Sequence, residues 1–180
     1  MRYLFLDIDG VLNTWRYEKL LSEKNLPITD EYGHFFDPEA VKNLRYITEA
    51  TNAKIVITSS WRFDGLQTMQ ALWKYRNMPS EVVGITPQLM TAKIYDADTK
   101  QNWEKHPFGS RGIEIDEWLR LHTNEKLEPY TFAIIDDEND YLLHHADHVV
   151  LTDPFMGITK DIADRIVRIL KNETNLNSRI

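Results

Sequence analysis

Cysteine is absent from the 180 residues. That excludes disulfide scaffolds, thiolate metal sites and a cysteine nucleophile, and it suits a reducing compartment such as the cytoplasm. An excess of basic residues is absent too: 21 Lys and Arg stand against 28 Asp and Glu, for a net charge of −7. An extended basic surface for gripping long nucleic acid is thereby disfavoured, whereas a local basic pocket is not. No apolar run approaches the about 18 residues that a membrane span needs. The opening MRYLFLDIDG has one basic residue and an apolar run cut short by two carboxylates, so it reads as a first β-strand and not as a signal peptide. Repeats and low-complexity segments are lacking. What remains is a chain of single-domain size, 42% hydrophobic and 11% aromatic, with one core expected over residues 1–180. The surplus acid still needs a location.

Five apolar runs, Tyr3–Ile8, Lys54–Thr58, Val82–Thr86, Thr131–Ile135 and His148–Thr152, are short and nearly continuous. Strands buried on both faces of a parallel sheet look like this. Helical periodicity fills the gaps. Val41, Leu44 and Ile47 share one face over 38–50, with Asp37 as N-cap and Pro38 at the first helical position. Leu66, Met69 and Trp73 mark a second helix, Ile115, Trp118 and Leu119 a third. A last one, carrying Ile162, Ile166 and Ile169, follows Thr159. The alternation predicts a doubly wound α/β fold with a parallel five-stranded sheet. Residues 13–37 and 87–112 exceed ordinary connecting loops and are expected to form small flaps or a lid.

In such sheets the site lies beyond the carboxyl ends of the strands. Those ends carry Asp7 and Asp9, then Thr58, Ser59 and Ser60, then Asp136, Asp137 and Glu138 with Asp140 nearby, then Thr152 and Asp153. Asp also favours turns after strands, but acids from several strand ends on one rim repel unless a cation neutralises them. Hard oxygen ligands without cysteine point to Mg²⁺. An EF-hand loop fails, because Val11 and Leu12 occupy positions five and six and an apolar strand precedes the loop. His144, His145 and His148 read as surface or packing residues. The tryptophans Trp61, Trp73 and Trp118 read as core mass, with Trp103 an exposed stacking candidate beside Lys100, Lys105 and His106. Asn172–Thr174 is a glycosylation sequon that a cytosolic chain leaves idle.

LFLDIDGVLN at 4–13, KIVITSSWR at 54–62 and AIIDDEND at 133–140 resemble the first, second and fourth motifs of the haloacid dehalogenase-like (HAD) phosphohydrolases. SSWR, RGIEIDEWL at 111–119 and LTDPFMGIT at 151–159 resemble a narrower group, the HAD domain of Swiss Army Knife RNA repair proteins. The resemblance implies a Rossmann-like sheet of order 5-4-1-2-3 with no large cap. It implies an aspartyl-phosphate on Asp7, with Asp9 as general acid and base. Dehalogenase members lack that second Asp, so the phosphatase branch is favoured. Mg²⁺ would sit on Asp7, the Asp9 carbonyl, and Asp137 or Asp136. Ser59 would hold the phosphate, with Thr58 as fallback, since the run TSS fits either register, and Ser60 beside them. Arg111, with Lys93 as rival, would supply the third-motif cation, and Arg62 could clamp a substrate phosphate bidentately or cap a helix. The implied substrate is a nucleotide or nucleic-acid end phosphate. The alternatives are a small phosphorylated metabolite, and an idle HAD fold that only binds. The residue pattern names no oligomeric state.

Overall fold

The computed structural model describes residues 1–89, 92–96, 101–105, 110–123 and 128–173, with only the backbone described for 92–96 and 101–105. The elements run β1 (Arg2–Leu6), α1 (Trp15–Glu23), β2 (Thr29–Asp30), β3 (Gly33–His34), α2 (Pro38–Thr51), β4 (Lys54–Ile57), α3 (Leu66–Tyr75), β5 (Val82–Ile85), β6 (Ala92–Asp96), β7 (Gln101–Lys105), α4 (Ser110–His122), β8 (Thr131–Asp136), β9 (Val149–Leu151) and α5 (Lys160–Leu170). All five apolar runs become strands of one parallel sheet, in the order β5-β4-β1-β8-β9. Numbered within that sheet, this is the 5-4-1-2-3 order read from its other edge. The labels differ only because the hairpins β2–β3 and β6–β7 interpose along the chain.

Alternation along β1 divides the core. Leu4 and Leu6, with Ile55, Ile57, Ala133 and Ile135, pack under α2, α3 and α5. Tyr3 and Phe5, with Val56 and Ile134, face Ile115, Trp118 and Leu119 of α4. Period-two side chains buried on both faces are why these runs are continuously apolar. Local signals hold as well: Asp37 accepts from Glu39 N at 2.9 Å with Pro38 opening α2, and the Thr159 hydroxyl caps α5. Both long connections contain a hairpin. Residues 13–37 hold α1 and β2–β3, and β6–β7 lies within 87–112. Lys93 is paired with Glu104 in that hairpin. The side chains of Lys93, Trp103 and Lys105 lie outside the described residues, as do Lys100, His106 and Thr174. Among the described residues no helix is long and apolar enough to cross a membrane.

Candidate active site

The strand register sets three polar residues side by side. Leu6 pairs with Ile57 on one flank and Ile135 on the other, and the ladder continues through Thr58 N to Leu6 O and Asp7 N to Ile135 O, both 3.0 Å. Thr58, Asp7 and Asp136 therefore form a row across the carboxyl ends of β4, β1 and β8. Alternation turns all three toward α4, the side of Phe5, Val56 and Ile134.

Helix α4 brings the cation. Arg111, its second residue, donates from Nη1 to Asp7 Oδ1 at 2.9 Å and to Asp136 Oδ2 at 2.6 Å. The start of α4 is held by Asp140, which accepts from Ser110 Oγ at 2.9 Å and Arg111 N at 3.2 Å. An acid at a helix N-terminus is favourable, so Asp140 orients the helix that delivers Arg111. Asp136 also accepts from the Tyr141 hydroxyl and from Glu138 N. Asp137 remains half-buried and closes over Gly10, whose φ is +67° and where a Cβ would stand 2.4 Å from Asp137 Oδ2. Only glycine fits there.

Among the described residues, the acids of the cluster outnumber the cations that touch them. Asp7, Asp136 and Asp137 each place a carboxylate oxygen within 4.8 Å of the others, against one guanidinium. Burial, then the neighbouring Asp136, pushes Asp7 up to about 7 despite Arg111. Burial, then Asp7 and Glu138, pushes Asp137 up to about 6. Asp136 is raised chiefly by burial. Arg111 is held protonated by Asp136 and Asp7 although burial opposes it. Three crowded carboxyls that ionise reluctantly, offering only hard oxygen donors, fit a divalent cation such as Mg²⁺.

Asp9 stands apart at the exposed mouth. It accepts from Asn13 Nδ2 at 2.7 Å and from Trp61 Nε1 at 3.0 and 3.1 Å. In the turn after β4, Thr58 Oγ1 is buried with no partner among the described residues, while Ser59 Oγ accepts from Trp61 N at 3.4 Å and Ser60 is exposed.

The sequence leaves Arg62 two readings, a phosphate clamp or a structural cap. The residue is only 6% exposed, and its guanidinium turns inward to donate to Thr58 O at 2.5 Å, Ser59 O at 2.8 Å and Glu114 Oε2 at 2.7 Å. Both terminal nitrogens are committed to the protein, so it does not present a fork to a substrate phosphate. Glu114, Tyr141, Asn13 and Trp61 were not visible as site residues from sequence. The only hint for Glu114 was its place three residues after Arg111, on the same helical face. The histidines pack as expected: His144 and His145 share Asp116 at 3.0 and 2.9 Å. Those three could converge on a cation. However, His145 Nδ1 accepts from Leu142 N at 3.3 Å, which leaves the proton on Nε2, donating to Asp116, and closes the set without one.

Comparison with curated proteins and with solved structures returns no match. The family model for the HAD domain in Swiss Army Knife RNA repair proteins matches residues 3–163, a span holding the five-stranded sheet but for Arg2 at its start, with Arg111 and the acid cluster. The chain therefore belongs to that family of HAD domains.

Proposed function

We propose that the chain, acting as one domain, is a Mg²⁺-dependent phosphohydrolase that removes an end phosphate from a nucleotide or nucleic acid through an aspartyl-phosphate on Asp7. The observation that carries this reading is the row Thr58–Asp7–Asp136 beneath Arg111, with the exposed Asp9 two residues beyond the nucleophile. It offers what phosphoryl transfer requires: a fixed nucleophile, charge neutralisation and a proton donor.

In the first step an Asp7 carboxylate oxygen attacks phosphorus. The bond to the leaving oxygen breaks, and Asp9 gives that oxygen its proton. In the second step Asp9, now a carboxylate, takes a proton from water as the water oxygen attacks phosphorus. The bond to Asp7 breaks, and inorganic phosphate leaves. Arg111 fixes the Asp7 carboxylate and draws charge from the transition state. The Thr58 hydroxyl, in register with Asp7 and without a partner among the described residues, is the better phosphate donor than Ser59, which caps the following turn. Asp7, the Asp9 carbonyl and Asp137 would hold Mg²⁺. Asp137 is preferred because Asp136 is already engaged by Arg111, Tyr141 and Glu138. When bound, the ion offsets the like charges of the acid cluster and the phosphate.

The substrate class draws on the family, a HAD domain found in RNA repair proteins, and on the exposure of Asp9, which leaves room for a bulky leaving group. The test is phosphate release from 3′- and 5′-phosphorylated oligonucleotides, nucleotides and sugar phosphates, with Mg²⁺ and with chelator. Mg²⁺-dependent release with preference for the nucleic-acid substrates is expected. Release from sugar phosphates alone would overturn the substrate class, and release from none would leave a binding module.

A further inference from the structure

Arg62 and Glu114 form an ion pair at 2.7 Å whose side chains are 5% and 2% exposed. Its connections run to both sides of the row. Arg62 grips the carbonyls of Thr58 and Ser59, the two residues whose hydroxyls compete for the phosphate. Glu114 lies on α4, three residues after Arg111, and its second oxygen accepts from Leu89 N at 3.1 Å. One rigid helix thus reaches the row twice, directly through Arg111 to Asp7 and Asp136, and through Glu114 and Arg62 to the end of β4. Fixing both to one helix fixes the spacing between the nucleophile and the phosphate donor. Misplacing a reacting group by about 1 Å can cost about 100-fold in rate.

Resting on the phosphohydrolase reading above, we propose that Glu114 is a positioning residue for phosphate binding. It acts through Arg62 to hold the Thr58 hydroxyl at the distance from Asp7 that a phosphate spans. A buried ion pair with a merely cohesive role is often replaceable by apolar residues without loss of stability. The two roles therefore separate experimentally.

The experiment measures inhibition by inorganic phosphate, and kcat and KM on an aryl phosphate, for Glu114→Gln, Thr58→Val and their combination. Glu114→Gln keeps the side chain's shape but loosens its hold on Arg62. It is expected to weaken phosphate inhibition by about 10-fold in the wild-type background and by less than about 3-fold with Thr58→Val, because groups acting through one contact are non-additive. A companion variant, Arg62→Met with Glu114→Leu, is expected to melt close to the wild type yet show the same weakened phosphate inhibition. Additive effects of Glu114→Gln and Thr58→Val, or wild-type phosphate inhibition in a folded companion variant, would overturn the proposal. If the companion variant does not fold, the cycle alone decides. A wild-type protein that neither hydrolyses the ester nor is protected from thermal unfolding by phosphate fails the functional reading itself. That outcome is distinct from an active wild type in which Glu114→Gln changes nothing.

Discussion

Replacing Asp7 with Asn should make the metal-free protein more stable, even though it removes the proposed nucleophile. In the folded protein the Asp7 carboxyl is pushed up from 3.8 to about 7 by burial and by Asp136. In the unfolded chain it returns to its ordinary value. At about pH 4 the carboxyl is neutral in the folded state and only partly ionised in the unfolded one, so Asp and Asn are then nearly equivalent. Between pH 4 and 7 the folded state binds more protons than the unfolded one, so the wild type loses stability as pH rises and Asp7→Asn does not. Each pKa unit is worth about 1.4 kcal/mol, so a rise of roughly three units corresponds to about 4 kcal/mol at pH 8. The pull of Arg111 is already contained in that rise, and because the Asn amide copies the neutral carboxyl only approximately, a net gain of about 2–4 kcal/mol is expected. For a domain of this size that is about 5–12 °C in Tm. The assay is thermal unfolding of both proteins in chelator from pH 4 to pH 8, repeated with Mg²⁺. Asp7→Asn should melt level with the wild type at pH 4 and well above it at pH 8, and Mg²⁺ should narrow the gap by stabilising mainly the wild type. A variant that melts at or below the wild type at pH 8, or a gap that does not change with pH, would refute the account of a repulsive acid cluster.

Three other outcomes follow from the same geometry. Asp9→Asn should lower kcat by about 10²–10⁴-fold, the usual worth of general acid–base catalysis. Inhibition by inorganic phosphate should change little, since Asp9 lies outside the buried row; full activity would remove it from the mechanism. Gly10→Ala combines a left-handed backbone with a Cβ placed on Asp137. It should cost about 1–3 kcal/mol in urea unfolding and raise the Mg²⁺ concentration needed for half-maximal activity, whereas an unchanged requirement would argue against Asp137 as ligand. Arg62→Met alone leaves the Glu114 carboxylate buried without its partner and should destabilise by about 3–5 kcal/mol in chemical denaturation. A loss under about 1 kcal/mol would mean that the pair is solvated.

The parallel sheet was legible because each of its strands must satisfy two apolar layers at once, which leaves runs such as LFL and IVI in plain view. The carboxyl-end acids were legible for a related reason. Once the strands are placed, Asp7 and Asp136 can only fall on one rim. The hairpins were not legible. β2 and β3 are two residues each, and β6 and β7, AKIYD and QNWEK, mix polar and apolar residues and form a hairpin separate from the five-stranded sheet. The inward turn of Arg62 was hidden as well, because its partner Glu114 lies 52 residues away and SSWR alone reads equally as a clamp facing solvent. The proposed preference for Thr58 over Ser59 rests on the register of β1 against β4, since two adjacent hydroxyls are interchangeable in the sequence and opposite in direction on a strand.

The central claim is that Asp7 becomes phosphorylated during turnover. Borohydride reduces an aspartyl-phosphate to homoserine, so the most direct measurement is peptide mass spectrometry after quenching steady-state hydrolysis of a phosphorylated oligonucleotide with borohydride. Homoserine at position 7, formed only with both substrate and Mg²⁺ present and absent from Asp7→Asn, is the expected result. Phosphate release that proceeds with Asp7 unmodified throughout would contradict it.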